Sequence, residues 1–101
     1  MGIESKVIEI ADEISACKFR YNYSIEEYTW LASKCRELIT LLSESNADLA
    51  LINKITTISN ELDWQKQQPM HDLLRQQTLI FNQDAILFYL MKEGYLKMLR
   101  F

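Results

Sequence analysis

Apolar positions recur along this chain at helical spacing. Ile3, Val7, Ile10, Ile14, Cys17 and Tyr21 follow one another at alternating steps of four and three. That is one face of an α-helix, and it predicts a first segment over about 3–21. Glu4, Glu9, Asp12 and Glu13 fill much of the rest, and an acidic first turn suits the helix dipole. A second stripe, Tyr28, Leu31, Ala32, Cys35, Leu38, Ile39 and Leu42, predicts a segment over about 25–42. Ser24 followed by Glu27 has the form of a capping box at its start, with Tyr23 and Tyr28 at the staple positions.

Leu51, Ile55, Ile58 and Leu62 mark a third segment over about 46–66, with Ser45 and Asp48 as its start signal. Pro69 forces a break before itself and suits a first helical position. The fourth segment is therefore expected over about 69–93. Gly94 then closes it, with Tyr95 packing back on Leu90. Residues 95–101 form a tail.

Segment four is the least regular. Indexed at about 100° per residue, its inner stripe reads Met70, Leu74, Phe81, Ala85 and Phe88, widened by Leu73, Ile80, Leu87 and Met91. Leu79, Ile86 and Leu90 then fall on the reverse side. A helix apolar nearly all round is enclosed by others or supplies a second interface. Trp30, Leu41 and Trp64 also index to outer faces of their segments. The expected partner-binding set is thus Trp30, Leu41, Trp64, Leu79, Ile86, Leu90, Tyr95, Lys97, Met98, Arg100 and Phe101.

Composition narrows the fold class. The 101 residues hold only two Gly and one Pro, too few turn formers for a sandwich or barrel. The expectation is a single all-α domain over 1–101: an antiparallel four-helix bundle with a short C-terminal extension. Helical hairpins paired in a homodimer are the alternative. All six glutamines fall between Gln65 and Gln83, a bias that the stripes leave unexplained.

Charge excludes some functions. Residues 1–63 carry 11 acidic and 6 basic side chains, net −5; residues 64–101 carry 3 and 5, net +2. No dense basic stripe is present, so no nucleic-acid partner is expected, and a protein with a basic surface suits the acidic half better. Cys17 and Cys35 lie on apolar stripes and fit neither a disulfide framework nor a zinc site. They read as small buried hydrophobes in a reducing compartment. The start of the chain lacks signal-peptide architecture, and the apolar run from Ala85 to Met91 is too short to span a bilayer. A cytoplasmic location without a transmembrane segment is expected.

Catalytic chemistry has little to build on. His71, the single histidine, reads as a surface or capping residue in a first turn. The carboxylate pairs Glu26/Glu27 and Asp12/Glu13 are adjacent in sequence and so diverge on a helix. No catalytic residue, metal site or cofactor is expected. The string Ser59-Asn60-Glu61-Leu62-Asp63, with Arg36 upstream, resembles the S-Q-E-L-D signature of the Spo0E-like helical-hairpin phosphatases, with Asn60 in the glutamine position. That resemblance implies Asp63 acting on an aspartyl phosphate. In size and helix count the chain is similar to the four-helix immunity proteins that protect bacteriocin producers. The functional expectation is a non-enzymatic protein–protein interaction module, in its most concrete form a small inhibitor or immunity-type protein. The alternatives are a structural homo-oligomer or a secretion or assembly chaperone holding a partner helix, and third the phosphatase.

Overall fold

The computed structural model describes residues 2–19 and 24–96. They form four helices: α1 (Ile3–Ala16), α2 (Ile25–Glu44), α3 (Leu49–Gln65) and α4 (Asp72–Lys92). Each packs on the next in sequence, and α1 closes the ring against α4. The α2–α3 and α3–α4 connections are four and six residues long, which makes these neighbours antiparallel. The fold is the expected helical bundle, with no strand among the described residues.

Three of the four expected stripes are the core. Val7, Ile10 and Ile14 of α1, Tyr28 through Leu42 of α2, and Leu51, Ile55, Ile58 and Leu62 of α3 supply one contiguous buried cluster. Phe19, just past α1, joins it almost fully buried. The tyrosine among them is anchored twice. Its hydroxyl donates to the Arg75 carbonyl at 3.0 Å, and the Arg75 guanidinium lies 5.4 Å from its ring centroid. A buried phenol needs such a partner.

The helix ends differ from the sequence reading in instructive ways. Ser24 is the N-cap of α2, but its side chain makes no capping bond; the turn is closed by Glu27 N–H donating to the Ser24 carbonyl at 3.0 Å. Tyr23 lies outside the described residues. Asn46 ends α2 instead of opening α3. It takes φ 57°, and Ala47 N–H donates to the Leu42 carbonyl, the six-to-one bond of a Schellman motif. Asparagine tolerates this left-handed position better than most residues. Asp48 then caps α3 by accepting from Ala50 N–H at 3.0 Å.

Helix α4 starts at Asp72, three residues beyond the proline. His71 is its N-cap, with Nδ1 accepting from Leu74 N–H at 3.2 Å. The histidine is therefore occupied in capping, as one of its two sequence readings had it. At the far end Gly94 adopts φ 87°, and Tyr95 N–H donates to the Leu90 carbonyl at 2.9 Å, as the sequence predicts.

Helix α1 stops at Ala16, five residues short of the expected end, with Cys17 as its C-cap. At that end a side chain from α4 takes up open carbonyls. Gln83 Nε2 donates to the carbonyls of Ile14 and Cys17, each at 2.7 Å. It satisfies from outside the groups that another helical turn would have satisfied from within. The glutamine bias has the same explanation. Gln76 donates to the Phe19 carbonyl, Gln67 and Gln68 to the Asp63 and Trp64 carbonyls, and Gln65 accepts from Asn82 Nδ2. Five of the six glutamine amides thus serve helix ends or helix–helix joints.

Candidate protein interaction surface

The core-facing side of α4 is largely the reverse of the expected one, although Leu87 is buried as expected and Ala85 and Met91 pack against the core. Leu79, Asn82, Gln83, Ile86, Leu87 and Leu90 are buried, whereas Phe81 is 73% exposed, Leu73 59% and Phe88 46%, with Leu74 and Ile80 also exposed. The expected partner residues Leu79, Ile86 and Leu90 are fully buried core and are not available as a surface.

The physical reason is the company each face keeps. The buried face includes the amides Asn82 and Gln83, which donate to the backbone carbonyls of Thr78, Ile14 and Cys17 and to the Gln65 side chain. The opposite face includes the exposed Asp84, whose carboxyl is raised above its ordinary value by partial loss of hydration. A neutral amide with two partners is cheap to bury; a carboxylate with none is expensive. The charge of Asp84, more than the count of apolar side chains, sets which side of α4 faces inward. That signal was present in the sequence. The apolar count was misleading because it favours the Phe81 and Phe88 side.

The outer stripe of α4 borders a groove of about 480 Å³ between α3 and α4. Its walls include Asn53, Thr57, Glu61 and Gln65 of α3 and Phe81, Ala85 and Tyr89 of α4. At one end Lys54 Nζ stands 4.7 Å from the Tyr89 ring centroid, and Phe88 meets Tyr89 edge to face at 5.7 Å. Trp64 is 58% exposed and lies beside this groove, beyond Thr57 and Glu61. Three exposed aromatic residues, Trp64, Phe81 and Phe88, therefore belong to the α3–α4 side of the bundle.

The other expected residues are placed apart from them. Trp30 and Leu41 are half-buried against the core on the α1–α2 side. Lys34 holds that side together, pairing with Glu13 at 2.8 Å and Glu37 at 3.3 Å while lying 5.8 Å from the Trp30 ring. Tyr95 is half-buried against the core. Lys97, Met98, Arg100 and Phe101 lie outside the described residues.

Within the Ser59–Asp63 string, Ser59 and Leu62 are buried core, and Asp63 faces Arg36 across α2 and α3 at 3.6 Å. Cys35 is fully buried, and burial pushes its thiol up to about 12. At pH 8 its alkylation should be roughly a thousandfold slower than that of an unperturbed thiol, because the thiolate is the nucleophile. Cys17, only half-buried and raised less by burial, should react before it. Timed iodoacetamide labelling with peptide mapping measures both rates; equal rates would contradict this placement. No group of three or more His, Cys, Asp or Glu that could hold a metal ion occurs among the described residues. No helix among them is long and apolar enough to cross a membrane.

The class these features define is a small helical bundle with one spare aromatic-rich face. No protein-family model, curated protein or solved structure matches the chain.

Proposed function

We propose that this chain is a non-enzymatic protein–protein interaction module that docks a protein partner on the outer face of α4 and the adjoining Trp64. One observation carries the reading. Phe81, Leu73, Leu74, Ile80 and Phe88 stand exposed on one side of α4 while its other side is fully used by the core. A contiguous apolar surface of this kind marks interaction sites on small proteins. Exposed Trp and Phe beside an open groove are the side chains that anchor interfaces.

In its most concrete form the module is an inhibitor or immunity-type protein that occludes its target. Glu61 and Asp84, on or beside this face, favour a target with basic groups at its rim. The two free thiols suit a reducing compartment such as the cytoplasm.

The test is capture of a protein from the native host on the immobilised full chain. Phe81→Asp combined with Trp64→Ala should weaken capture about 30-fold or more, the scale of interface hot spots. Ile8→Asp, an exposed apolar position on α1, should leave it unchanged. Equal capture by the Phe81/Trp64 variant would overturn the reading.

A further inference from the structure

We propose that the groove between α3 and α4 seats an arginine side chain of the protein partner, whose guanidinium donates to the Glu61 carboxylate and to Asn82 Oδ1 and lies flat on Phe81. This rests on reading α4 and Trp64 as a partner surface and names the group that the surface recognises.

The site begins on the groove floor. Asn82 lines the groove although it is only 3% exposed. Its Nδ2 donates to Gln65 Oε1 at 2.8 Å and to the Thr78 carbonyl at 2.9 Å. Its Oδ1 accepts from no donor among the described residues. An amide oxygen held this deep without a donor bears a desolvation cost, which a donor entering the groove removes. The occupant therefore brings N–H or O–H groups.

Charge decides which kind. The Gln65 amide passes the hydrogen bonding outward, with Nε2 donating to Glu61 Oε1 at 3.2 Å. Glu61, Gln65 and Asn82 thus form one ladder from the rim of the groove to its floor, and the two remaining acceptors stand one glutamine amide apart. Glu61 pairs with no cation among the described residues. The lysine that lines the groove, Lys54, lies two turns earlier on α3, about 10 Å away at 1.5 Å per residue. It stands over the Tyr89 ring instead. The Glu61 end is therefore the anionic end of the groove and suits a cation.

The facing wall separates guanidinium from ammonium. It is Phe81, with most of its ring exposed. A guanidinium carries five N–H groups in a planar fork, sheds water readily and stacks on aromatic rings, whereas an ammonium is a compact, strongly hydrated point charge. Two acceptors in a ladder opposite an aromatic wall match the planar fork. Trp64 lies on the other side of Glu61, where an anchoring side chain excludes water from the pair.

Titration of the isotope-labelled full chain with N-acetyl-arginine methylamide, followed by NMR, tests the seat. The Asn82 and Gln65 side-chain amides should shift saturably, with a dissociation constant of roughly 1 mM, the scale of a single side chain. The corresponding lysine amide should bind about fivefold more weakly. Glu61→Gln should weaken the arginine amide about fivefold, and Glu44→Gln, an exposed carboxylate at the end of α2, should leave it unchanged. Glu61 is exposed, so its exchange leaves the core intact. Capture of the host protein should weaken about fivefold in Glu61→Gln and be competed by the arginine amide. No saturable shift at Asn82 and Gln65 overturns the seat, as does equal binding of the two amides. Binding of the arginine amide with capture indifferent to Glu61→Gln assigns the seat to a free guanidino compound and overturns the partner's arginine. Where the Phe81/Trp64 variant loses capture and Glu61→Gln keeps it, the arginine alone falls. Where both keep it, the interaction surface falls as well.

Discussion

Ile86→Ala should lower the unfolding free energy by about 3–4 kcal/mol, whereas Phe81→Ala should change it by no more than about 0.5 kcal/mol. Ile86 is fully enclosed by the bundle, so truncation removes its transfer free energy and leaves a cavity. Phe81 is 73% exposed, and the fold loses almost nothing with it. In a domain of this length the first change is worth about 15–20 °C in melting temperature. Leu79→Ala should resemble Ile86→Ala. Thermal and urea unfolding at low micromolar concentration give both numbers, and a larger loss for Phe81 than for Ile86 would reverse the orientation assigned to α4.

Gln83→Met should cost about 2 kcal/mol although it replaces a polar core residue with an apolar one of similar length. The Ile14 carbonyl keeps the Cys17 N–H, which donates to it at 3.2 Å, but the Cys17 carbonyl loses its donor. Removing one partner of a nearly buried hydrogen bond leaves the other to bear the desolvation cost. Gln83→Glu should be worse, by about 3 kcal/mol or more at pH 7, since an ionised carboxylate would face two carbonyl oxygens. Its neutral form is the one the fold favours. Stability in that variant is therefore retained at low pH and lost as pH rises through the carboxylate range. Urea unfolding of the wild type and both variants at pH 4 and pH 7 measures the differences; a Gln83→Met protein as stable as wild type would remove Gln83 as the residue that ends α1.

These two expectations bracket what the sequence could and could not reveal. On α1, α2 and α3 the apolar stripe is single, so its spacing determines the buried face without ambiguity; Val7, Leu31 and Ile55 are where the pattern puts them. On α4 two stripes compete, and counting apolar side chains picks the one with the phenylalanines. The bundle picks the other, because Asn82 and Gln83 have partners inside and Asp84 has none. Those partners belong to residues 17 to 69 positions away in the chain, beyond the reach of any local pattern.

Boundaries followed the same division. Gly94 was legible because a left-handed residue at a helix end is a local requirement. Asn46 stands where the spacing opens α3 and is a stop, since asparagine serves both ends of a helix and only the chain's later course distinguishes them. Of the candidate surface, Trp64 is legible from helical spacing alone. Phe81 and Phe88 are not, because the apolar count puts them inside and Leu79, Ile86 and Leu90 outside.

Everything proposed for the outer face depends on which side of α4 meets solvent, and hydroxyl-radical footprinting reads that side chain by side chain. Mass spectrometry should find Trp64, Phe81 and Phe88 rapidly oxidised and Leu79, Ile86 and Leu90 protected. Protection of Phe81 and Phe88 together with oxidation of Leu79, Ile86 and Leu90 would contradict the account.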